Sequence, residues 1–68
     1  MKFDLEGHEY IELYKLLKAT GQCDSGGNAK ARISDGEVLV DDQVELRKRC
    51  KIRTGHSVEF AGQVINVV

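Results

Sequence analysis

The spacing of apolar residues changes along this chain, and each change predicts an element. Phe3 and Leu5 alternate with polar neighbours, the period of a short strand that Gly7 ends. From Glu9 to Thr20 the residues Tyr10, Leu13, Tyr14 and Leu17 fall at i, i+3, i+4 and i+7, one stripe of an amphipathic helix. Acids stand early in that segment and lysines late, as the helix dipole favours, and Gly21 is the stop. Ser25 stands three residues before Asn28 in an N-cap pattern, so a second short helix is predicted from Gly26 or Gly27 to about Asp35, closed by Gly36. Its apolar contacts are Ala29 and Ile33. Glycines at 26 and 27 cost helix propensity, which points either to a close approach at that end or to a plain loop.

The remainder reads as strands. Glu37 to Val40 alternates into a turn at Asp41-Asp42, and Val44 and Leu46 lead into a run of cations. Thr54-Gly55-His56 is a second turn, Ser57 to Phe60 a strand with Val58 and Phe60 on one face, Ala61-Gly62 a tight hairpin, and Gln63 to Val68 a closing strand. No proline interrupts the pattern. Two short helices packed on a small, mainly antiparallel sheet make an α+β fold, with residues 1–68 expected to form one domain.

Length and composition narrow the function. A chain of 68 residues buries only roughly 60% of its unfolded surface, which leaves a modest core and little room for a deep enzyme cleft. With 41% hydrophobic and 31% charged residues, it has the make-up of a folded domain rather than a disordered tail. No apolar run approaches the roughly 20 residues of a membrane span, and the start, MKFDLEGHEY, lacks the apolar stretch of a signal peptide. A cytoplasmic protein is expected, with no membrane partner and with Cys23 and Cys50 as free thiols.

Net charge is only −1, yet it is unevenly spread. Residues 1–24 carry three cations against five acids, whereas residues 25–53 carry seven cations against five acids. Local potential of this kind, more than total charge, steers a charged partner. Most of the excess lies in Arg47-Lys48-Arg49-Cys50-Lys51-Ile52-Arg53, where five of seven residues are cationic. If extended, this run places Arg47, Arg49, Lys51 and Arg53 on one face at a spacing of about 6.8 Å, with Cys50 and Ile52 on the other. That ladder suits a polyanion backbone; a solvated edge strand protected against unwanted pairing is the other reading. A pI near 6.1 argues against indiscriminate DNA binding.

Several stretches together carry a resemblance. Leu16-Leu17-Lys18, Ser25-Gly-Gly-Asn-Ala29-Lys30, Ile33-Ser-Asp-Gly36-Glu-Val38-Leu-Val40-Asp41 and Thr54-Gly55-His56-Ser-Val58-Glu-Phe60 resemble the RNA-binding domain named after small-subunit ribosomal protein S-four, the αL motif. The match runs over about residues 10–60, and the whole chain is similar to the small stand-alone bacterial members. The resemblance implies binding of structured RNA, ribosomal or transfer RNA, through the two-helix face and the adjoining loop. By position it implicates Ser25, Gly27, Asn28 and Lys30 in the second helix and Lys18 near the end of the first, and Arg32, also in the second helix, is a further candidate. Arg47, Lys48, Arg49, Lys51 and Arg53 would form the adjoining wall. Small residues at a helix N-terminus leave backbone amides free for a phosphate, and the cations add point charges and guanidinium forks. The chain departs from the family pattern at Gly26, where arginine is common, at Asp41-Asp42, where Asn-Gly is usual, and at His56, which replaces an aspartate.

Other chemistries fit less well. His8, Cys23, Cys50 and His56 lack the close pairs of a zinc site, and no phosphate-binding Gly-x-x-x-x-Gly-Lys motif occurs. Tyr10 and Tyr14 have the chemistry to stack on bases, although their helical spacing also suits a core. The ending Asn66-Val67-Val68 lacks the Gly-Gly of a ubiquitin-like sulfur carrier. The reading is a monomeric RNA-binding module with no catalysis and no cofactor; the alternative is a protein-interaction adaptor that turns its basic face to an acidic partner.

Overall fold

The computed structural model describes residues 1–68. In chain order the elements are β1 (Lys2–Phe3), β2 (Ile11–Glu12), α1 (Leu13–Ala19), α2 (Gly26–Ser34), β3 (Val38–Val40), β4 (Gln43–Val44), β5 (Lys51–Ile52), β6 (Ser57–Phe60) and β7 (Gln63–Val67). Two hairpins set the main sheet. Asp41 and Asp42 (φ 50° and 69°) turn β3 into β4, and Ala61 and Gly62 (φ 52° and 80°) turn β6 into β7. Positive φ at both central residues matches the right-handed twist of the flanking strands. Aspartate tolerates this conformation better than most residues with a Cβ, so Asp41-Asp42 makes the turn that Asn-Gly makes elsewhere.

The main sheet has the order β1-β7-β6-β3-β4. All its pairs are antiparallel except β1 with β7, which is parallel and closes the N-terminus onto the last strand. Register places Val38 opposite Phe60, Val40 opposite Val58 and Val58 opposite Ile65, so the middle of one sheet face is apolar. The helices cover it. Leu13, Leu16 and Leu17 of α1 and Ala29 and Ile33 of α2 are 0% exposed and join Val38, Val58 and Ile65 in one core. No polar or charged residue is buried with them. The second helix begins as its cap pattern predicts: the Asn28 amide donates to Ser25 Oγ at 3.1 Å, and the helix ends at Ser34 just before Gly36.

Two expectations need correction. The predicted helix from Glu9 starts at Leu13, because Ile11 and Glu12 instead pair with Ile52 and Lys51 in a separate two-stranded sheet. Periodicity alone cannot register this, since a distant partner supplies the competing hydrogen bonds. The cationic ladder over 47–53 is also not formed. The chain turns at Lys48-Arg49, with the Cys50 amide donating to the Arg47 carbonyl at 3.2 Å, and only Lys51 and Ile52 are extended. The expected alternation survives at that end: Ile52 is fully buried, while Lys51 and Arg53 are exposed.

Ile52 therefore anchors the basic segment to the core. Truncation to alanine is expected to cost about 2–5 kcal/mol, whereas Leu46→Ala, at a position 58% exposed, should stay within about 0.5 kcal/mol. Urea denaturation of both variants checks the contrast.

Candidate nucleic-acid interface

The first amides of α1 have no side-chain cap. They are taken instead by the basic segment: Leu13 donates to the Cys50 carbonyl at 2.9 Å and Tyr14 to the Lys48 carbonyl at 3.1 Å. Together with the β2–β5 pair, these bonds lay residues 48–52 across the start of α1. The cations of the run are thereby brought beside Tyr10 and Tyr14. Lys51 Nζ lies 5.1 Å and Arg53 Cζ 5.5 Å from the Tyr10 ring centre. Around Tyr14 stand Lys30 Nζ at 4.6 Å, Arg49 Cζ at 5.8 Å and Lys15 Nζ at 5.9 Å. A ring face attracts a cation through its quadrupole, so each tyrosine adds to the acids Glu9 and Glu12 in holding like charges close.

Lys30 belongs to α2 and Arg49 to the basic turn, and Tyr14 is where they meet. The open end of α2 is next to it. A Cβ built on Gly26 would lie 3.6 Å from the Tyr14 ring, an ordinary contact, whereas the arginine common in the family would have to extend past the ring. Lys15, unmarked by the sequence reading, joins the cluster; its only visible hint is Glu12 three residues earlier, to which it is paired at 3.2 Å.

Not every implicated cation is equally available. Arg47 is clamped: its Nε and Nη2 reach the two oxygens of Glu45 at 3.0 and 3.1 Å, and Nη2 also lies 3.6 Å from Cys50 Sγ. Arg49 faces Glu12 at 3.8 Å and Arg53 faces Glu9 at 3.2 Å. Lys18, Lys30, Lys48 and Lys51 have no acidic partner. In the second helix, Asn28 donates to Asp24 at 2.9 Å and accepts from Arg32 Nε at 3.2 Å, while Arg32 Nη1 is paired with Glu37 at 3.2 Å. Asn28 and Arg32 thus form a chain of polar contacts of their own. Being two residues from each, Lys30 points about 200° round the helix from both, which separates them from the Tyr14 cluster. Ser25 is spent on its cap, and Gly27 is exposed beside it.

No three histidine, cysteine or acidic side chains gather as a metal-binding set. Both cysteines are free, and burial pushes each thiol up from its ordinary value, which keeps them protonated. His56 accepts the Arg53 amide on Nδ1 at 2.9 Å, and its Nε2 lies 4.0 Å from Asp41, whose other oxygen accepts from the Ser57 amide at 2.9 Å. Two of the departures from the family pattern are therefore spatial neighbours: a histidine faces the aspartate where a second carboxylate would repel it.

The Arg47 clamp has a titration signature. Hydrogen bonds from the Arg47 side chain and backbone hold the Glu45 carboxyl at about 2 rather than the ordinary 4.5. A depressed folded value means that the stabilisation is present above 4.5 and is lost as pH falls from there through about 2. Carboxyl-carbon NMR is expected to show Glu45 titrating with a midpoint near 2, and Arg47→Ala should return it toward 4.5.

Comparison with known proteins places the chain in a family. The S4 domain family model matches residues 3–68. YbcJ of Escherichia coli (strain K12), a relative named for RNA binding, is 50% identical over 66 residues, covering 97% of this chain and 94% of that protein. RlbA of Bacillus subtilis (strain 168), named for ribosome maturation, is 40% identical over 62 residues, covering 85% and 87%. The solution structure of YbcJ from E. coli, described as revealing an αL motif involved in RNA-binding, superposes with a TM-score of 0.76 at 49% identity, covering 98% of this chain and 85% of that one. The chain has the family's two helices on a mostly antiparallel sheet, and it belongs to the S4 domain family.

Proposed function

We propose that this chain is a stand-alone, cytoplasmic RNA-binding module that grips structured RNA by phosphate and shape, with no reaction of its own. The observation that carries this reading is the meeting of Lys30 from α2 and Arg49 from the basic turn at Tyr14, 4.6 and 5.8 Å from its ring. Two elements distant in sequence thereby form one cationic surface. The names of its relatives support the same reading, and the one named for ribosome maturation makes ribosomal RNA the target class to test first.

Availability ranks the contacts. Lys30, Lys48 and Lys51, which lack acidic partners, and Arg49, whose contact with Glu12 is long at 3.8 Å, are assigned the main phosphate contacts. The Gly26 and Gly27 amides at the start of α2 add donors that helix geometry leaves open. Arg53 and Lys18 flank this set. Arg47, Arg32 and Asn28 act more as scaffold, because their polar groups are already engaged. Contacts of this kind fix register and shape rather than read base edges. With acids interleaved among the cations and a net charge of −1, the surface favours a phosphate array of matching shape over any polyanion.

About four phosphate contacts should give a log–log salt slope near −3 on single-stranded or irregular RNA. A flat slope would count against a phosphate grip. The double reversal Arg49→Glu and Lys51→Glu is expected to abolish RNA binding while leaving the circular dichroism spectrum unchanged. If affinity for RNA survives it, and RNA fails to compete with an acidic protein for the basic face, the adaptor reading takes over.

A further inference from the structure

We infer that Tyr10 is a stacking platform for an unpaired base, so that this surface takes RNA at a junction where a paired region gives way to a single strand. The inference rests on the RNA-binding reading above and assigns part of its specificity. Tyr10 lies outside the helix its spacing predicts, immediately before β2, and is 39% exposed. It therefore serves no core function that would account for a large aromatic there. The β2–β5 register, Ile11 with Ile52 and Glu12 with Lys51, brings Lys51 and Arg53 alongside the ring.

The surroundings of the ring divide a nucleotide into its parts. Tyr10 also lines an open groove of about 650 Å³ with the apolar residues Phe3, Leu5 and Ile11, rimmed by the acids Asp4, Glu6, Glu9 and Glu12 with His8 and a single cation, Lys15. Carboxylates repel a phosphate, but they accept hydrogen bonds from the N–H groups of a neutral base. The four carboxylates of the groove thus favour a base over its phosphate, while Lys51 and Arg53 beside the ring hold the phosphate. Tyr14 is different: half-buried, beside Gly26 and ringed by three cations, it organises charge and has no comparable opening.

Magnitudes favour the exchange. A cation over an exposed ring contributes a factor of about 2 to 5 in an equilibrium constant, so the two over Tyr10 contribute about 4 to 25, whereas a base stacked on an aromatic contributes about 5 to 100. Lys51 and Arg53 also regain a partner when they move from the ring to phosphate. The Arg53–Glu9 pair that must loosen is a surface contact, with side chains 45% and 79% exposed, and such pairs add little.

The test measures binding of the full chain, Tyr10→Ala and Tyr10→Phe to two RNA probes of equal phosphate count, a blunt duplex and a hairpin with an unpaired loop. The unsubstituted protein is expected to prefer the hairpin by at least about 5-fold. Tyr10→Ala should lose about 5- to 100-fold on the hairpin and several-fold less than that on the blunt duplex, where only the cation–ring contacts are lost, and Tyr10→Phe should retain the preference. Equal affinity for both probes, indifferent to Tyr10→Ala, overturns this inference alone. Equal loss on both probes shows a structural role and also overturns it. Absence of binding to either probe overturns the RNA-binding reading together with it.

Discussion

Main-chain hydrogen bonds hold the basic segment across the start of α1, and the candidate interface depends on them. A helix leaves its first amides without intrahelical partners, and no side chain caps α1. The carbonyls of Lys48 and Cys50 fill that need through Tyr14 and Leu13, at 3.1 and 2.9 Å. In return the segment gains a fixed path that its own residues would oppose, since neighbouring cations repel. Ile52 completes the attachment by entering the core beside the leucines of α1. Backbone and apolar contacts thus fix the position of side chains whose charges would otherwise push the segment toward solvent.

Charge is then sorted rather than cancelled. Glu45 clamps Arg47 with two hydrogen bonds, Glu12 stands between Lys15 and Arg49, and Glu9 faces Arg53. Tyrosine faces hold Lys30 and Lys51 by an attraction that leaves their full charge on display, and Lys18 and Lys48 have neither kind of partner. The result is a surface whose local potential is positive although the chain carries a net charge of −1. On the RNA-binding function proposed above, this arrangement retains attraction for a phosphate array at chosen positions, while the nearby acids penalise a ligand whose phosphates fall elsewhere.

The S4 pattern is kept here with altered turn chemistry. Asp41-Asp42 makes its hairpin through left-handed backbone at both residues, and Asp41 then accepts the Ser57 amide from the adjacent strand. His56 stabilises its own turn through the Arg53 amide, and it can face Asp41 without the repulsion a second carboxylate would bring. At Gly26 the missing side chain leaves the edge of Tyr14 open beside the first turn of α2. These exchanges keep the architecture and change the electrostatic surface that it presents.

Elements governed by local chemistry were legible in the sequence alone. The Ser25 cap, the Ala29 and Ile33 contacts, the two tight hairpins and the final strand pair all follow from periodicity and turn residues within a few positions, and the spaced motifs together pointed to the S4 domain. The start of α1 and the path of residues 47–53 did not follow, because each is decided by the other across nearly 40 residues. The i, i+3, i+4, i+7 stripe from Tyr10 and the alternation in the basic run were both genuine patterns, but they compete with hydrogen bonds that exist only once β2 meets β5. The sequence likewise declared how many cations there are without saying which would be clamped by Glu45, which would lie over a tyrosine, and which would stay unpaired. Local propensity determined the second helix and the turns; the tertiary structure decided the start of α1 and the interface, because their main-chain hydrogen-bond partners come from segments nearly 40 residues apart.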